Sequence, residues 1–212
     1  MSIADMRRQY TMGRLTEEAL TEHPVDLFKQ WLGEAIDAKI PDPTAMTVAT
    51  VDASGQPSQR IVLLKDYDHD GFVFYTNLGS RKAKELAVNP KISLHFPWFF
   101  MERQVRICGV AEKLSVAQNA KYFLSRPKDS QLAAWASQQS QPISSRELLM
   151  TQFKQMKDKF ANKDIPLPDF WGGFKVKPAQ IEFWQGGEHR LHDRFEYRFN
   201  EQSGWSTQRL MP

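Results

Sequence analysis

The chain has 212 residues, of which 41% are hydrophobic and 25% are charged, and these values argue against disorder and favour one globular domain. The net charge of +3 is lower than a dedicated nucleic-acid binder would carry, although it suits a pocket for phosphorylated small molecules. A single cysteine, Cys108, excludes an internal disulfide and favours a reducing compartment. Residues 1–10 lack the apolar core of a secretory signal, and the most apolar stretch, residues 92–101, is too short to cross a bilayer. We therefore expect a soluble cytoplasmic protein that binds neither membrane nor nucleic acid.

Hydrophobic periodicity and turn residues predict many short strands with helices between them. Residues 1–23 are polar and we expect a mobile arm, followed by a single domain over residues 24–212. Helices are predicted at residues 25–39, 80–88, 115–125, 129–137 and 146–160, the last with a capping box of Ser144 and Glu147. Strands are predicted at residues 45–51, 59–65, 71–76, 91–96, 103–114, 174–177, 181–184, 195–199 and 204–210, the first three as an antiparallel meander. The pattern indicates the α+β class, mainly β, with a β-barrel and peripheral helices.

The strand at residues 59–65 carries a basic residue at each end of an apolar run, Arg60-Ile61-Val62-Leu63-Leu64-Lys65. Its period of two places Arg60, Val62 and Leu64 on one face and Ile61, Leu63 and Lys65 on the other. Cations in these positions could bind an anion at each end of the strand. A core strand whose charged ends reach solvent would show the same pattern, and the spacing alone favours that alternative.

A second motif, residues 75–82, joins a strand to a helix through a glycine turn and reads Y-T-N-L-G-S-R-K. Arg81 and Lys82 fall in the first turn of the helix, where positive charge opposes the helix dipole unless an anion compensates it. Together with Thr76, Ser80 and the free backbone N–H groups, they could form a phosphate site. A solvated surface turn is the alternative, and the glycine spacing of a Walker loop is absent.

A third motif covers residues 122–130, where Tyr122 and Arg126 are four apart on one helix face and Ser130 begins the next helix. Tyrosine, arginine and serine commonly bind phosphate. An ordinary helix–turn–helix junction would look the same and is the simpler interpretation of this motif alone. Weaker polar candidates for contact with an amide-rich ring are Gln104, Gln139 and Ser140.

The most informative segment is residues 183–194, F-W-Q-G-G-E-H-R-L-H-D-R. A strand, a tight turn and a second strand would point Trp184, Arg190 and the other charged side chains at one place. Arginine beside an aromatic ring suits a planar, anionic ligand. His189 and His192 form an H-x-x-H pair, but no further ligand lies near them in the sequence, so we predict no metal site.

In this order, the motifs R-I-V-L-L-K, Y-T-N-L-G-S-R-K, S-R-P-K-D-S-Q and W-Q-G-G-E-H-R-L-H-D-R closely resemble those of the pyridoxamine 5′-phosphate oxidase family, over residues 7–212. The resemblance implies an FMN-binding split barrel and a homodimer with its two flavin sites at the subunit interface. It also implies oxidation of pyridoxamine 5′-phosphate and pyridoxine 5′-phosphate by O2 to pyridoxal 5′-phosphate. Hydrogen peroxide would be released and, from the amine, ammonia.

The resemblance also assigns individual residues. The implied FMN contacts are Arg60, Ile61, Val62, Leu63, Leu64, Lys65, Tyr75, Thr76, Arg81, Lys82, Gln104, Gln139, Ser140, Trp184 and Arg194, with Arg60 and Lys82 as the clamps on the FMN phosphate. The implied substrate contacts are Arg7, Arg8, Gln9, Tyr10, Lys65, Tyr122, Arg126, Ser130, Arg190, Leu191 and His192, the first four as a lid. Arg190 and His192 are the implied catalytic residues: Arg190 would orient the pyridine ring, and His192 would hold the substrate or assist proton removal.

Two phosphate-bearing rings require two cationic clusters, and the chain supplies two. Other functions also fit parts of the pattern. A split-barrel flavin reductase or deazaflavin-dependent reductase would have no use for the second cluster, and a non-catalytic FMN or pyridoxal-phosphate carrier would show no turnover. A single-stranded nucleic-acid binder could use a basic barrel with aromatic residues, but it would be colourless and its affinity would fall steeply with salt.

Overall fold

One antiparallel sheet of nine strands forms the centre of the structure, a computed structural model that describes residues 2–212. The strands are β1 (Ala45–Val51), β2 (Pro57–Leu63), β3 (Asp66–Asp68), β4 (Gly71–Asn77), β5 (Lys91–Trp98), β6 (Arg103–Lys113), β7 (Trp171–Gln185), β8 (Asp193–Asn200) and β9 (Gly204–Arg209). The helices are α1 (Pro24–Asp37), α2 (Arg81–Val88), α3 (Val116–Ser125), α4 (Lys128–Ala136) and α5 (Arg146–Lys159). Along the sheet the order is β2-β1-β5-β6-β7-β4-β3, and β8 pairs with both β7 and β9.

Helix α1 covers the main hydrophobic core because its apolar residues recur at helical spacing. Pro24 occupies the first turn, where its missing N–H has no helical partner to lose. The ring of Phe28 packs edge-on against Phe72, with 5.0 Å between centroids, and Trp31 packs edge-on against Phe183 at 5.2 Å. Each such burial contributes roughly 2–3 kcal/mol, so α1 is held by packing more than by its own propensity.

Strand β7 organises the sheet because it has three partners. One edge pairs with β6, with a bulge between Cys108 and Gly109. The other edge pairs with β4 over residues 171–176 and with β8 over residues 180–185. Pro178, which has no N–H to donate, lies in the gap between these partners. The two ends of β7 therefore belong to different parts of the molecule.

A second, smaller core joins the helices that follow β6 to the beginning of β7. Its buried members are Phe123, Leu132, Phe160, Ile165 and Trp171. The helical insertions therefore form a layer against one end of the long strand. This layer holds the side chains of the third sequence motif next to the strand that carries the second.

The structure corrects the predicted sheet in two places. The first three predicted strands do not form a meander, because β4 pairs with β7 and β3 while only β1 and β2 pair with each other. The two strands predicted at residues 174–177 and 181–184 are one continuous strand, β7, because an extra residue in β7, Ala179, forms a bulge beside Pro178 and the ladder with β6 continues on both sides of it.

Two local predictions also need correction. Strand β3 lies between the strands predicted at residues 59–65 and 71–76, where turn residues led us to expect a connection and no strand. The cap of α5 is Ser145, whose hydroxyl accepts from the Leu148 N–H, so the capping box predicted for Ser144 and Glu147 is wrong by one residue. Strand β3 exists because it pairs with β4, which the local sequence does not specify.

The arm predicted over residues 1–23 packs against the barrel from its middle onwards; Met1 lies outside the described residues. Leu15 is buried, and its N–H donates to Asp193 Oδ2 at 3.1 Å. The Tyr197 hydroxyl donates to the Thr21 carbonyl oxygen at 3.0 Å. These contacts attach the second half of the arm to the rest of the domain. That the arm is mobile stays a prediction.

Among residues 2–212, the helices are all too short or too polar to cross a membrane.

Candidate functional site

A cavity of about 550 Å³ opens where β2 and β4 meet α2, α3 and α4, and three of the sequence motifs converge on it. Of the predicted site residues it is lined by Ile61, Val62, Leu63, Lys65, Tyr75, Thr76, Lys82, Tyr122, Arg126, Ser130 and Gln139. The predicted flavin cluster and the predicted substrate-phosphate cluster therefore share one space, which we call the motif cavity.

Lys82 is the buried cation of the motif cavity, with 6% of its side chain exposed. Its Nζ donates to Thr76 Oγ1 and to Gln139 Oε1, both at 3.0 Å, and neither acceptor is charged. Burial, reinforced by the positive charge of Arg60, lowers the pKa of Lys82 to about 8. An anion bound here would restore the charge compensation that burial removes.

A buried carboxylate, Glu85, holds the two arginines of this cluster. Arg60 Nη2 lies 3.3 Å from Glu85 Oε2, and Arg81 Nε lies 2.7 Å from Oε1. The hydroxyls of Thr50 and Ser58 also donate to it. Burial raises the pKa of Glu85, but these hydrogen bonds and the arginine charges outweigh that effect and lower it to about 2. Arg60 and Arg81 are thus fixed beside the N-terminus of α2 and do not line the cavity themselves.

The third motif contributes a second cation to the motif cavity. Arg126 lies at the junction of α3 and α4, with Tyr122 and Ser130 in the same lining. Its Nη1 is buried and has no hydrogen-bond partner in the described chain. Burial lowers the pKa of Arg126, although an arginine stays charged at neutral pH. Because an unpartnered buried N–H is costly, this geometry suits an anionic ligand.

Strand β2 shows the predicted two-faced pattern. Leu64, just beyond its end, is buried, whereas Ile61 and Leu63 are exposed to 73% and 40%. These two side chains, with the exposed Lys65, line the motif cavity. Two exposed aliphatic groups beside a cation can contact the apolar face of an anionic ring.

Two predicted residues of the C-terminal segment, Trp184 and His192, lie outside the motif cavity and pack against Tyr10 of the N-terminal arm. We call these three residues the histidine cluster. The centroids of Trp184 and His192 are 4.6 Å apart, and Tyr10 packs edge-on against both, at 5.7 and 5.5 Å. The Gly187 N–H donates to His192 Nδ1 at 3.1 Å, so neutral His192 carries its proton on Nε2.

Burial and the neighbouring positive charges favour the neutral form of His192. Burial lowers the pKa of His192, and the neighbouring Arg190 and Arg194 lower it further. Arg190 and Leu191 are exposed, and Arg190 has a left-handed φ of 65° in the 3₁₀ turn Glu188–Arg190. The tight turn predicted between the strands is therefore wrong: the connection spans residues 186–192 and contains its own helical turn.

Gln104, Trp184 and Arg194 stand directly opposite one another on β6, β7 and β8. Side chains of opposed positions on neighbouring strands point to the same face, so these three form a row. Gln104 Oε1 lies 3.0 Å from His95 Nε2, and Arg194 Nε donates to Glu182 Oε1 at 2.9 Å. The structure thus extends the histidine cluster across three strands.

The predicted lid residues lie over this cluster. Arg8 Nη2 donates to the Phe99 carbonyl oxygen at 2.8 Å, and Gln9 Oε1 accepts from the His189 N–H at 3.3 Å. Arg7 borders the same recess as Arg190. Ser140, in contrast, is exposed next to Gln139, has a left-handed φ of 69°, and does not line the motif cavity.

The motif cavity and the histidine cluster lie at opposite ends of β7. Tyr75 pairs with Gly173 near the beginning of the strand, whereas Trp184 is next to its last residue. At about 3.3 Å per residue, the path along the strand between these positions is roughly 36 Å. One chain therefore does not bring all the predicted site residues together.

A separate group of possible metal ligands, His23, Asp26 and His69, was not anticipated from the sequence. His23 Nδ1 faces the Val25 N–H at 3.2 Å, and its Nε2 faces the Trp205 Nε1–H at 3.2 Å. A neutral imidazole has a single lone pair, and N–H donors already face both ring nitrogens of His23, so His23 offers no free lone pair to a metal ion. This group supports no metal site.

The residues that sequence reasoning missed include Glu85, beside the motif cavity, and Trp171, which lines it. Glu85 occurs one helical turn after Arg81, and this i, i+4 spacing is the signal that could have identified it. Trp171 lines the cavity from the first position of β7. It directly precedes Gly172-Gly173, but the strand was predicted to begin only at Phe174.

Comparison with known proteins gives two family matches. A profile of the family described as pyridoxamine 5′-phosphate oxidase matches residues 32–160. A profile described as the pyridoxine 5′-phosphate oxidase C-terminal dimerisation region matches residues 171–212. The chain is 73% identical over 212 residues, and 100% of each chain, to the pyridoxine/pyridoxamine 5′-phosphate oxidase of Alteromonas mediterranea. It is 63% identical, again over 100% of each chain, to that of Vibrio vulnificus.

Solved structures confirm the fold class. PhzG from Burkholderia lata, solved with tetrahydrophenazine-1-carboxylic acid, superposes with a TM-score of 0.87 at 29% identity, over 93% of this chain and 98% of that one. An FMN-binding protein related to pyridoxamine 5′-phosphate oxidase from Nostoc punctiforme superposes with a TM-score of 0.72 at 16% identity, over 87% and 97%. The predicted α+β split barrel with peripheral helices is therefore correct.

Proposed function

Since the chain belongs to the pyridoxamine 5′-phosphate oxidase family, we propose that its two subunits build each active site jointly. The enzyme is an FMN-dependent oxidoreductase that oxidises pyridoxamine 5′-phosphate and pyridoxine 5′-phosphate in vitamin B6 metabolism. It is a homodimer, with a C-terminal dimerisation region over residues 171–212. We further propose that FMN lies at the subunit interface and that the motif cavity of one subunit and the histidine cluster of the other bind the ligands.

The motif cavity fits the cofactor and the substrate together. Lys82 is buried without a charged acceptor, and Arg126 has an unpartnered buried N–H, so there is one cation for each phosphate. Arg60 and Arg81 add charge behind Lys82, and the exposed Ile61 suits the flat face of the flavin. The cavity volume of about 550 Å³ is within the range of small-molecule sites.

The position of the histidine cluster carries the proposal of a shared site. Trp184 and Arg190 are expected at the reacting rings, yet roughly 36 Å of strand separates Trp184 from the motif cavity of its own chain. In a twofold dimer, a contact of one patch with a different patch on the partner is repeated with the two subunits exchanged. The histidine cluster of each subunit can therefore complete the motif cavity of the other. Gln104 and Arg194, in the same row as Trp184, would contact the flavin from the partner side.

Bound FMN supplies the chemistry by accepting a hydride from the exocyclic carbon of the substrate. The protein would position the two rings: Lys82, with the charge of Arg60 behind it, would hold one phosphate, and Arg126 with Tyr122 and Ser130 would hold the other. The exposed Lys65 also lines the motif cavity and would contact both ligands.

His192 is a donor in this arrangement. Its Nδ1 already accepts from the Gly187 N–H, so only the Nε2–H is left for the substrate. The geometry therefore supports holding of the substrate by His192 over removal of a proton by it. The exposed side chain of Arg190 would orient the pyridine ring. Arg7, Arg8, Gln9 and Tyr10, over the histidine cluster, would limit the access of water to the bound substrate.

In the full reaction the substrate loses two electrons and two protons, and O2 takes them up to become hydrogen peroxide. Pyridoxine 5′-phosphate gives the aldehyde directly, and pyridoxamine 5′-phosphate gives an imine that water hydrolyses to the aldehyde and ammonia. A cytoplasmic location stays a prediction from the sequence, which contains only Cys108 as a thiol.

The activity is tested by the absorption spectrum of the purified protein. We expect a flavin band that bleaches when pyridoxine 5′-phosphate is added without oxygen, and returns on aeration with one peroxide per aldehyde. A band that bleaches only with nicotinamide donors would indicate a reductase instead. A stable band with no turnover would indicate a carrier, and a colourless protein would contradict FMN use.

The shared site is tested with mixed dimers. Lys82→Met damages the motif cavity and Trp184→Ala damages the histidine cluster, so each variant homodimer should be nearly inactive. A dimer with one chain of each kind, purified through two different tags, has one intact site, and about half of the parental activity should return. Mixed dimers as inactive as the two variants would show that each site lies within one chain.

A further inference from the structure

Trp171 occupies an unusual position at the motif cavity. It is the first residue of β7, pairs with Asn77 of β4, and is 7% exposed. Its indole is nearly parallel to two other rings of the cavity: the centroid of Tyr75 is 5.2 Å away at 5°, and that of Tyr122 is 6.1 Å away at 12°. Tyr75 and Tyr122 stack on each other at 4.0 Å. The orientation of Tyr122 is therefore fixed by an aromatic stack.

The same indole supports the cation of the third motif. The Arg126 guanidinium carbon lies 4.9 Å above the Trp171 ring and 5.7 Å from the Phe123 ring. An arginine over an aromatic face is attracted to the ring electrons and stays fully charged. Arg126 has no carboxylate partner within residues 2–212, and its Nη1 has no hydrogen-bond acceptor. Packing against rings, with no opposing charge, holds this guanidinium.

The contrast with the other cationic cluster gives the reason for this arrangement. Arg60 and Arg81 are held by Glu85, a carboxylate that partly neutralises them. A carboxylate next to Arg126 would compete with a phosphate for the same N–H groups and repel it. An aromatic face orients the guanidinium and leaves its hydrogen-bonding capacity free.

We propose that Trp171 is a positioning residue for the substrate phosphate: it holds Arg126 and, through the ring stack, Tyr122 in the orientation that binds this anion. The inference rests on the proposed function and concerns the affinity for one ligand of the site. The FMN phosphate is assigned to Lys82, with Arg60 and Arg81 behind it on Glu85, and the indole reaches the FMN contacts only through Tyr75, so FMN affinity should depend little on Trp171.

The test compares Trp171→Leu, which removes the aromatic face, with Trp171→Phe, which keeps a smaller one. For the holoenzyme with pyridoxine 5′-phosphate, Trp171→Leu should raise KM about tenfold or more, as expected for the loss of a desolvated cation–π contact. The kcat should change less than about threefold, the FMN Kd should stay within about twofold, and Trp171→Phe should restore most of the affinity. The inhibition constant of inorganic phosphate should rise in parallel with KM.

Trp135→Leu is the matched control. Trp135 packs against Phe160 and Phe170, adjoining the same small core, and is in contact with Lys159, not with Arg126. The Trp135→Leu variant should lower the melting temperature about as much as Trp171→Leu does and should leave KM unchanged. If Trp171→Leu does not fold, Trp171→Met keeps an apolar side chain without an aromatic face and must meet the same expectations.

A double-mutant cycle separates positioning from general damage. In an Arg126→Ala background, replacing Trp171 should raise KM clearly less than in the parent, because only Tyr122 of the two groups that it orients is left. An unchanged KM in the single variant, an equal effect in both backgrounds, or a parallel loss of FMN affinity would each overturn the inference. If the parent protein itself failed to oxidise pyridoxine 5′-phosphate, the proposed function would fail instead, and inorganic phosphate binding would still test Trp171.

Discussion

The affinity for FMN should decrease above pH 8 because of Lys82. In the ligand-free protein, burial and the charge of Arg60 lower the pKa of Lys82 to about 8. A bound phosphate dianion would stabilise the ammonium form and return its pKa towards or above the ordinary value. Binding at pH 9 then requires uptake of a proton that most free molecules have lost.

The magnitude follows from the difference between the two pKa values. With a free-state pKa of about 8, the FMN Kd should be roughly tenfold higher at pH 9 than at pH 7, which corresponds to about 1.4 kcal/mol. The neighbouring carboxylate does not titrate in this range, because the pKa of Glu85 is lowered to about 2. Burial raises the pKa of Tyr75 and of Tyr122, so these groups stay neutral.

Fluorescence titration of the apoprotein with FMN between pH 7 and pH 9 measures this dependence. Lys82→Arg is the matched control, because arginine keeps its charge and should bind FMN with a nearly constant Kd over the range. Riboflavin, which has the same ring but no phosphate, should also show no such trend. A parental Kd that is flat up to pH 9, or a trend that persists in Lys82→Arg, would refute the reasoning.

Three further outcomes are expected. Glu85→Gln should reduce the free energy of unfolding by about 1–3 kcal/mol at pH 7. Because the pKa of Glu85 is lowered to about 2, this loss should be fully present above about pH 4.5 and should disappear as the pH falls towards 2. Urea unfolding of the parent and the variant at several pH values measures the difference. Gly71→Ala should destabilise the folded protein by more than 2 kcal/mol, since the residue has a φ of 151° and a Cβ there would lie 2.3 Å from the Val176 carbonyl oxygen. Gly33→Ala is the control: a Cβ at Gly33 in α1 meets open space, so this variant should stabilise the folded protein by about 0.5–1 kcal/mol. Arg190→Ala and His192→Ala should slow flavin reduction in single-turnover experiments while the FMN Kd stays within about threefold; parental reduction rates in both variants at saturating substrate would disprove their assigned roles.

Most of the elements were predictable because their signals are local. The apolar spacing of α1 and the alternation around β2 depend on neighbours in sequence, and both patterns are present in the structure. The partner of β4 was not predictable in this way, since β7 lies almost a hundred residues further along the chain. No local rule specifies such a pairing.

Candidate residues of the site could likewise be predicted only where their signals are local in the sequence. Cationic motifs at helix ends identified Lys82 and Arg126 as anion-binding candidates. Whether an arginine faces a cavity or a carboxylate depends on side chains brought in by the fold, as Glu85 does for Arg60. The role of Trp171 required the ring stack, which combines residues from β4, α3 and β7.

The division of one β7 edge between β4 and β8 also has a consequence for the order of folding. Pairing of β7 with β8 and of β8 with β9 closes only short loops, whereas pairing with β4 must enclose residues 78–170 with four of the five helices. Because closing a longer loop costs more chain entropy, we expect the C-terminal meander to acquire protected amides first during refolding. Pulse-labelling hydrogen exchange should then find the amides of residues 180–185 protected earlier than those of residues 171–176.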